Sequence, residues 1–147
     1  MNYLDLHFLN FDRIFDIIIV RDLRKTMDEA KNVLGALLKI CNNRIATGFN
    51  RDGSCFSSGD DYEVKAICIQ ASKEFLDYSK KMGNDLTEPD FQYGFYGLKP
   101  NQFWCLSAEQ FLQAHKDGSA PKVNLDATHE RILEFIDLDI LKSYALE

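Results

Sequence analysis

Several things are scarce in this sequence, and each scarcity removes a class of function. None of its four cysteines (Cys41, Cys55, Cys68 and Cys105) falls in a Cys-x-x-Cys pair, so neither a zinc ribbon nor a thioredoxin-type redox motif is written locally. No basic run of five or more residues occurs, and the net charge is −6, which argues against a nucleic-acid partner. No apolar run approaches the roughly 20 residues of a membrane-spanning helix. The phosphate-binding glycine loops, His-Glu-x-x-His and Gly-x-Ser-x-Gly are all missing, so no cofactor is implied and no metal is assigned. Gly48 and Gly53 stand five apart, but the Lys and Ser/Thr of a nucleotide loop do not follow them. Nothing resembles a secretory signal, so the expected location is the cytoplasm, with the four thiols reduced and packed as small apolar side chains.

What is present fits one globular domain. A chain of 147 residues buries roughly two-thirds of its unfolded surface on folding, enough for a core without staples. Its 46% hydrophobic and 27% charged content is ordinary. Residues 1–31 read as an N-terminal amphipathic appendage, with Phe11, Ile14, Phe15 and Ile18 at helical spacing among charged residues. They carry five basic and six acidic residues, so they bring no electrostatic complement to an acidic domain. The segment is expected to pack on the domain that follows or on a second copy of the chain, the latter making a homodimer through residues 1–31.

Residues 32–147 read as a single α+β domain: a small mixed or antiparallel sheet with short helices packed on it in two layers. Strands are expected over 44–49, 64–70 and 102–106, with further alternation from Val123 to Ala127. Ser72 should cap one helix, which Gly83 terminates, and Ser107 with Gln110 should cap another that stops at Gly118. Thr128 is the expected cap of a third, and Asp137 opens a last one. Trp104 is expected as a buried anchor of its strand. Between the second strand and the third lies a long loop, 83–101, rich in glycine, proline and aromatics. Its Phe91, Tyr93, Phe95 and Tyr96 argue for order rather than disorder.

Candidate site residues lie at turns, helix ends and this loop, where side chains are free to point away from the core. Arg51 and Lys99 would hold an anionic group, and Asn84 and Asp52 would add hydrogen-bond partners. His129 is the candidate general base, with Asp85 orienting or deprotonating it. The competing account is that these six side chains only tie loops together: Asp52 and Asp85 closing turns, Lys99 solvated, His129 bonded to backbone. The best-supported function is binding of a small polar or anionic ligand, with or without catalysis, in a pocket under loop 83–101. An interaction module using exposed aromatics and the N-terminal segment is the alternative. A thiol or metal protein is the third reading.

Seven short motifs occur in order: Asn32-Val33-Leu34-Gly35, Thr47-Gly48-Phe49, Arg51-Asp52-Gly53, Gly83-Asn84-Asp85-Leu86, Gly97-Leu98-Lys99-Pro100, Trp104-Cys105 and Thr128-His129. Over about residues 32–142 the chain thereby resembles a family of small, mostly bacterial proteins known as domain of unknown function 2237. The resemblance implies one small α+β domain and no particular activity. The chain departs from the family pattern at Ser54 and Ser107, where cysteines are expected, and at Lys65, where a histidine is. Tyr96 and Asn101 likewise replace a proline and a glycine. A site that needed those thiols or that imidazole would not work here; a four-thiolate site of Cys41, Cys55, Cys68 and Cys105 is left open, with buried free thiols the expected state.

Overall fold

The computed structural model describes Ile14, Ile17, Ile18, Arg21 and residues 26–147. The chain forms two compact units, Met1–Ala30 and Lys31–Glu147. In the first, Ile14, Ile17 and Ile18 are helical and exposed. Phe11, Phe15 and most of the expected amphipathic segment lie outside the described residues. No described helix is long and apolar enough to cross a membrane.

The second unit is built on a three-stranded antiparallel sheet in the order β2-β1-β3. Its strands are β1 (Ile67–Gln70), β2 (Phe103–Leu106) and β3 (Lys122–Val123). Side chains alternate between the faces of a strand, and that alternation gives the sheet two different coats. Ile67, Ile69, Leu106 and Val123 join the main apolar core with Phe75 and Leu76 of α1 (Lys73–Lys81), Phe111 and Ala114 of α2 (Ala108–Lys116) and Leu141 of α3 (Leu138–Ser143). Cys68 and Cys105 face each other across β1 and β2, and they join a separate cluster with Cys41, Cys55 and Ala127.

The helices begin where their caps dictate. Ser72 Oγ accepts from the Phe75 amide, and Ser107 Oγ accepts from the Gln110 amide. Gly83 and Gly118 follow their ends with positive φ, as expected. An α+β fold with short helices on a small sheet is therefore what the chain adopts.

Three local expectations do not hold. The segment 44–49 is a set of bends, because Asn42 Oδ1 captures the amides of Arg44 and Ile45 that a ladder would have used. β1 starts at Ile67 rather than Val64. Val64 sits at φ +53°, and the Asp61 carboxylate accepts from the Lys65 amide, so the chain turns there. Thr128 caps no helix: its hydroxyl accepts from the Cys68 amide and donates to the Asn124 carbonyl, joining β1 to the turn that follows β3.

The largest correction concerns sulfur. The four cysteines are not free thiols but two disulfides, Cys41–Cys68 and Cys55–Cys105, spanning 27 and 50 residues. Each joins an irregular loop to a strand. Sequence spacing could not show this, because the pairs become neighbours only when residues 41–55 lie down on the sheet.

Candidate functional site

That loop reaches the edge strand β2 and builds a cavity with it. Asn42 Nδ2 donates to the Phe103 carbonyl, and Thr47 Oγ1 accepts from the Cys105 amide. Gly48 is forced by contact as well as by φ. At φ +92°, a Cβ there would lie 2.1 Å from the Ser54 carbonyl oxygen. The chain therefore folds tightly on itself between Gly48 and Ser54, and Asp52 Oδ1 closes the turn by accepting from the Ser54 amide.

On the outer side of this turn is a cavity of about 250 Å³, lined by Thr47, Gly48, Arg51, Glu63, Lys65, Asn84, Trp104, Ser107 and Gln110, among others. A neighbouring cavity of about 370 Å³ lies under loop 83–101, between Arg51, Asp85, Tyr93, Phe95 and Trp104. Arg51 and Trp104 line both. Trp104 is thus half-buried between two cavities rather than a fully buried anchor, and its indole packs on Phe95 with ring centroids 5.2 Å apart.

The charges of the first cavity are unevenly matched. Lys65 Nζ lies 3.0 Å from Glu63 Oε2. The Arg51 guanidinium rests over the Tyr93 ring, 4.0 Å from its centroid, and pairs with no carboxylate among the described residues. A cation on an aromatic face keeps its edge N–H groups available to a ligand.

Of the six expected site residues, Arg51 and Asn84 line the first cavity, and Arg51 and Asp85 line the second. The other three lie elsewhere. Asp52 is engaged with its own turn. Lys99 is exposed, its amide donating to Gln102 Oε1. His129 is buried, its Nδ1 accepting from the Ser57 amide and its ring 5.1 Å from Phe56. Asp85 does not orient His129; it accepts from both the amide and the hydroxyl of Thr87. The hydroxyl bond is the main cause of a carboxyl pKa below the ordinary value, opposed by desolvation and helped by the Thr87 amide and Lys80. Burial lowers the His129 pKa; Glu130 opposes the shift and Arg131 adds to it.

Around His129 lies a polar network that sequence reasoning missed. Arg131 Nη1 donates to Ser57 Oγ and to the carbonyls of Ser58 and Asp61. Ser57 Oγ in turn donates to the buried Asp61 carboxylate. Glu63, Lys65, Ser107 and Gln110 were also not singled out as cavity residues. Only the position of Lys65 beside an apolar strand, with Glu63 two residues away, hinted at a charged pair there.

The fold and cavity define a small α+β domain with an irregular, disulfide-tied loop layer. The chain belongs to the family described as an uncharacterized protein conserved in bacteria (DUF2237), whose model matches residues 31–145. No curated protein matches the chain.

Proposed function

We propose that the domain binds a small anionic or polar molecule between Arg51, Lys65, Asn84 and Gln110, against the Trp104 indole. One observation carries the reading: Arg51, paired with no carboxylate among the described residues, shares a cavity of about 250 Å³ with Lys65, two side-chain amides and an aromatic wall. A ligand carboxylate or phosphate would take a bidentate contact from Arg51 and compete with Glu63 for Lys65. The volume suits a compound the size of an amino acid or small organic acid rather than a dinucleotide. Asp85 would reach the same ligand from the adjoining cavity under loop 83–101, whereas Asp52, Lys99 and His129 support the scaffold.

Trp104 is the chain's only tryptophan, so its fluorescence reports on this cavity directly. Titration with a panel of small carboxylates and phosphates should give a saturable change with at least one of them. Arg51→Met should weaken that binding about 10-fold or more, the equivalent of one charge-assisted bond. No response to any member, or an equal response in Arg51→Met, would defeat the reading.

A second reading rests on a different surface. Phe91, Tyr93 and Tyr96 of loop 83–101 are more than half exposed, and Phe91 stacks edge-on against Tyr96 at 5.6 Å. Such a cluster suits a protein partner. Binding of a macromolecule that is lost in Phe91→Ser with Tyr96→Ser, but kept in Arg51→Met, would favour it.

A further inference from the structure

We propose that the four cysteine sulfurs form, in the reduced chain, a closed tetrathiolate site for one thiophilic divalent ion, zinc being the natural candidate.

The arrangement starts with the sheet. Cys68 and Cys105 are directly opposite on adjacent strands and share the face turned away from the helices. Cys41 and Cys55 come down on them from the loop, with Cα separations of 5.6 Å and 5.3 Å to their partners. The Sγ atoms of Cys41, Cys55 and Cys68 all lie within 4.8 Å of one another, and that of Cys105 is bonded to Cys55. Three of the sulfurs thus form one mutual cluster, and the fourth, Cys105, adjoins it through Cys55 while standing farther than 4.8 Å from at least one of the others.

A tetrahedral zinc with Zn–S near 2.3 Å needs sulfurs about 3.8 Å apart. The Cys55 sulfur lies within 4.8 Å of those of Cys41 and Cys68, at most about 1 Å beyond such an edge. Once reduced, the two bonded pairs must part to that edge as well.

The chemistry of the surroundings selects the ion. Ala127 and Phe103 pack beside the sulfurs, and among the described residues no histidine or carboxylate joins the cysteine group, so a soft or borderline ion is favoured over magnesium or calcium. All four cysteines are buried, as in structural rather than catalytic zinc sites. Four thiolates around a divalent ion leave two negative charges, and Arg51 and Lys65 line the cavity that Cys105 also lines. Each disulfide would take two electrons and two protons from a dithiol, which closes to its own disulfide. The ion then displaces four protons from the four thiols. In a reducing compartment, where disulfides are rare, the metal would hold the 41–55 loop on the sheet as the disulfides do under oxidising conditions.

The test uses the full chain, reduced under argon with excess phosphine and no denaturant, and titrated with Co²⁺. Saturation at one equivalent is expected, with the ligand-field and charge-transfer bands of four sulfur ligands, and displacement by one equivalent of Zn²⁺. Cys41→Ser and Cys68→Ser should each change the spectrum to three sulfurs and weaken binding about 10-fold or more. Because such variants risk unfolding, the reduced wild-type chain supplies a second readout: Zn²⁺ should restore the hydrogen-exchange protection of residues 41–55. Disulfides that resist the reductant, a spectrum with fewer than four sulfurs, or binding unchanged by the substitutions would overturn the proposal.

Discussion

Residues 31–65 and residues 66–123 follow one another in the chain, yet they are held in place by different physics. The second stretch contains all three strands and α1 and α2, and its interior is apolar. The first has no helix and no strand, only bends, turns and isolated bridges. Its backbone groups cannot satisfy one another in a ladder, so side chains do that work. Asn32 Oδ1 accepts from the amides of Leu34 and Ala36, and its Nδ2 donates to the Asp126 carbonyl. Asn42, Asp52, Ser54 and Asp61 each accept from one or more amides. Arg131 and His129 reach in from the other end of the chain to bind Ser57, Ser58 and Asp61. A chain without secondary structure still owes partners to its buried polar groups, and here polar side chains and sulfur provide them. The same tight, polar folding creates the cavity around Arg51.

Removing sulfur should separate the two regions most sharply. On the chain-entropy account, a disulfide closing 27 residues contributes about 3.5 kcal/mol and one closing 50 residues about 4 kcal/mol. The two loops overlap, so the effects do not add. With both bridges reduced and metal withheld, amides of residues 41–64 should lose hydrogen-exchange protection first, while those of α1 and α2 keep theirs until global unfolding. Equal loss in both regions would mean that the irregular layer and the sheet unfold as one unit.

The same contrast explains what could be read from the sequence. The capped helices were legible because a serine hydroxyl, an apolar stripe and a terminal glycine are all local signals, as at Ser72 and Gly83 or Ser107 and Gly118. The core of strands β1 and β2 was legible from their short apolar runs. The layer over the other face was not. Cys41 and Cys68 are 27 residues apart, Thr47 meets Cys105 across 58, and Arg131 meets Ser57 across 74. No periodicity encodes such pairings. Trp104 was misjudged for a related reason: its strand pattern requires it to face the core side, but β2 is an edge strand, so the indole ends at a cavity wall. Arg51 and Asn84, which line the first cavity, were legible as candidates because both stand in irregular segments between regular elements. Of their companions, Gln110 belongs to the first turn of α2 and gave no such sign, and Lys65 fell inside the expected strand 64–70.

Glycine provides a finer cut between the regions. Gly48 and Gly118 both adopt positive φ, at +92° and +73°. An added Cβ at Gly118 meets nothing within 4 Å, so Gly118→Ala should cost about 1 kcal/mol, the left-handed penalty alone. At Gly48 the Cβ would fall on the Ser54 carbonyl, with the Cys105 sulfur 3.6 Å away. Gly48→Ala should therefore cost about 2–3 kcal/mol and disturb the Trp104 environment too. Urea midpoints of the two variants measure the difference, and near-equal values would show that the 48–54 turn yields easily.

The gentlest probe is pH, acting through His129 at the seam between the regions. Its Nδ1 accepts from the Ser57 amide, so the neutral ring carries its proton on Nε2, and a second proton would have to displace that bond. Burial, the largest influence, holds its folded pKa below the unfolded value of 6.5. As pH falls through 6.5 the unfolded chain takes up a proton that the native chain refuses, so stability declines. The decline ends once the pH is below the folded pKa and both states are protonated. Asp85 and Asp117, whose pKa values are lowered from 3.8, lose their contribution only in more acid solution, so the windows are separable. His129→Gln should be less stable than wild type at neutral pH, because the Ser57 amide loses its ring acceptor, but it should lack the slope just below pH 6.5. Denaturation midpoints measured from pH 7.5 to 5 decide the matter. A variant that keeps the full slope would place the titrating group elsewhere, and would remove His129 as the pH-sensitive link between the irregular layer and the sheet.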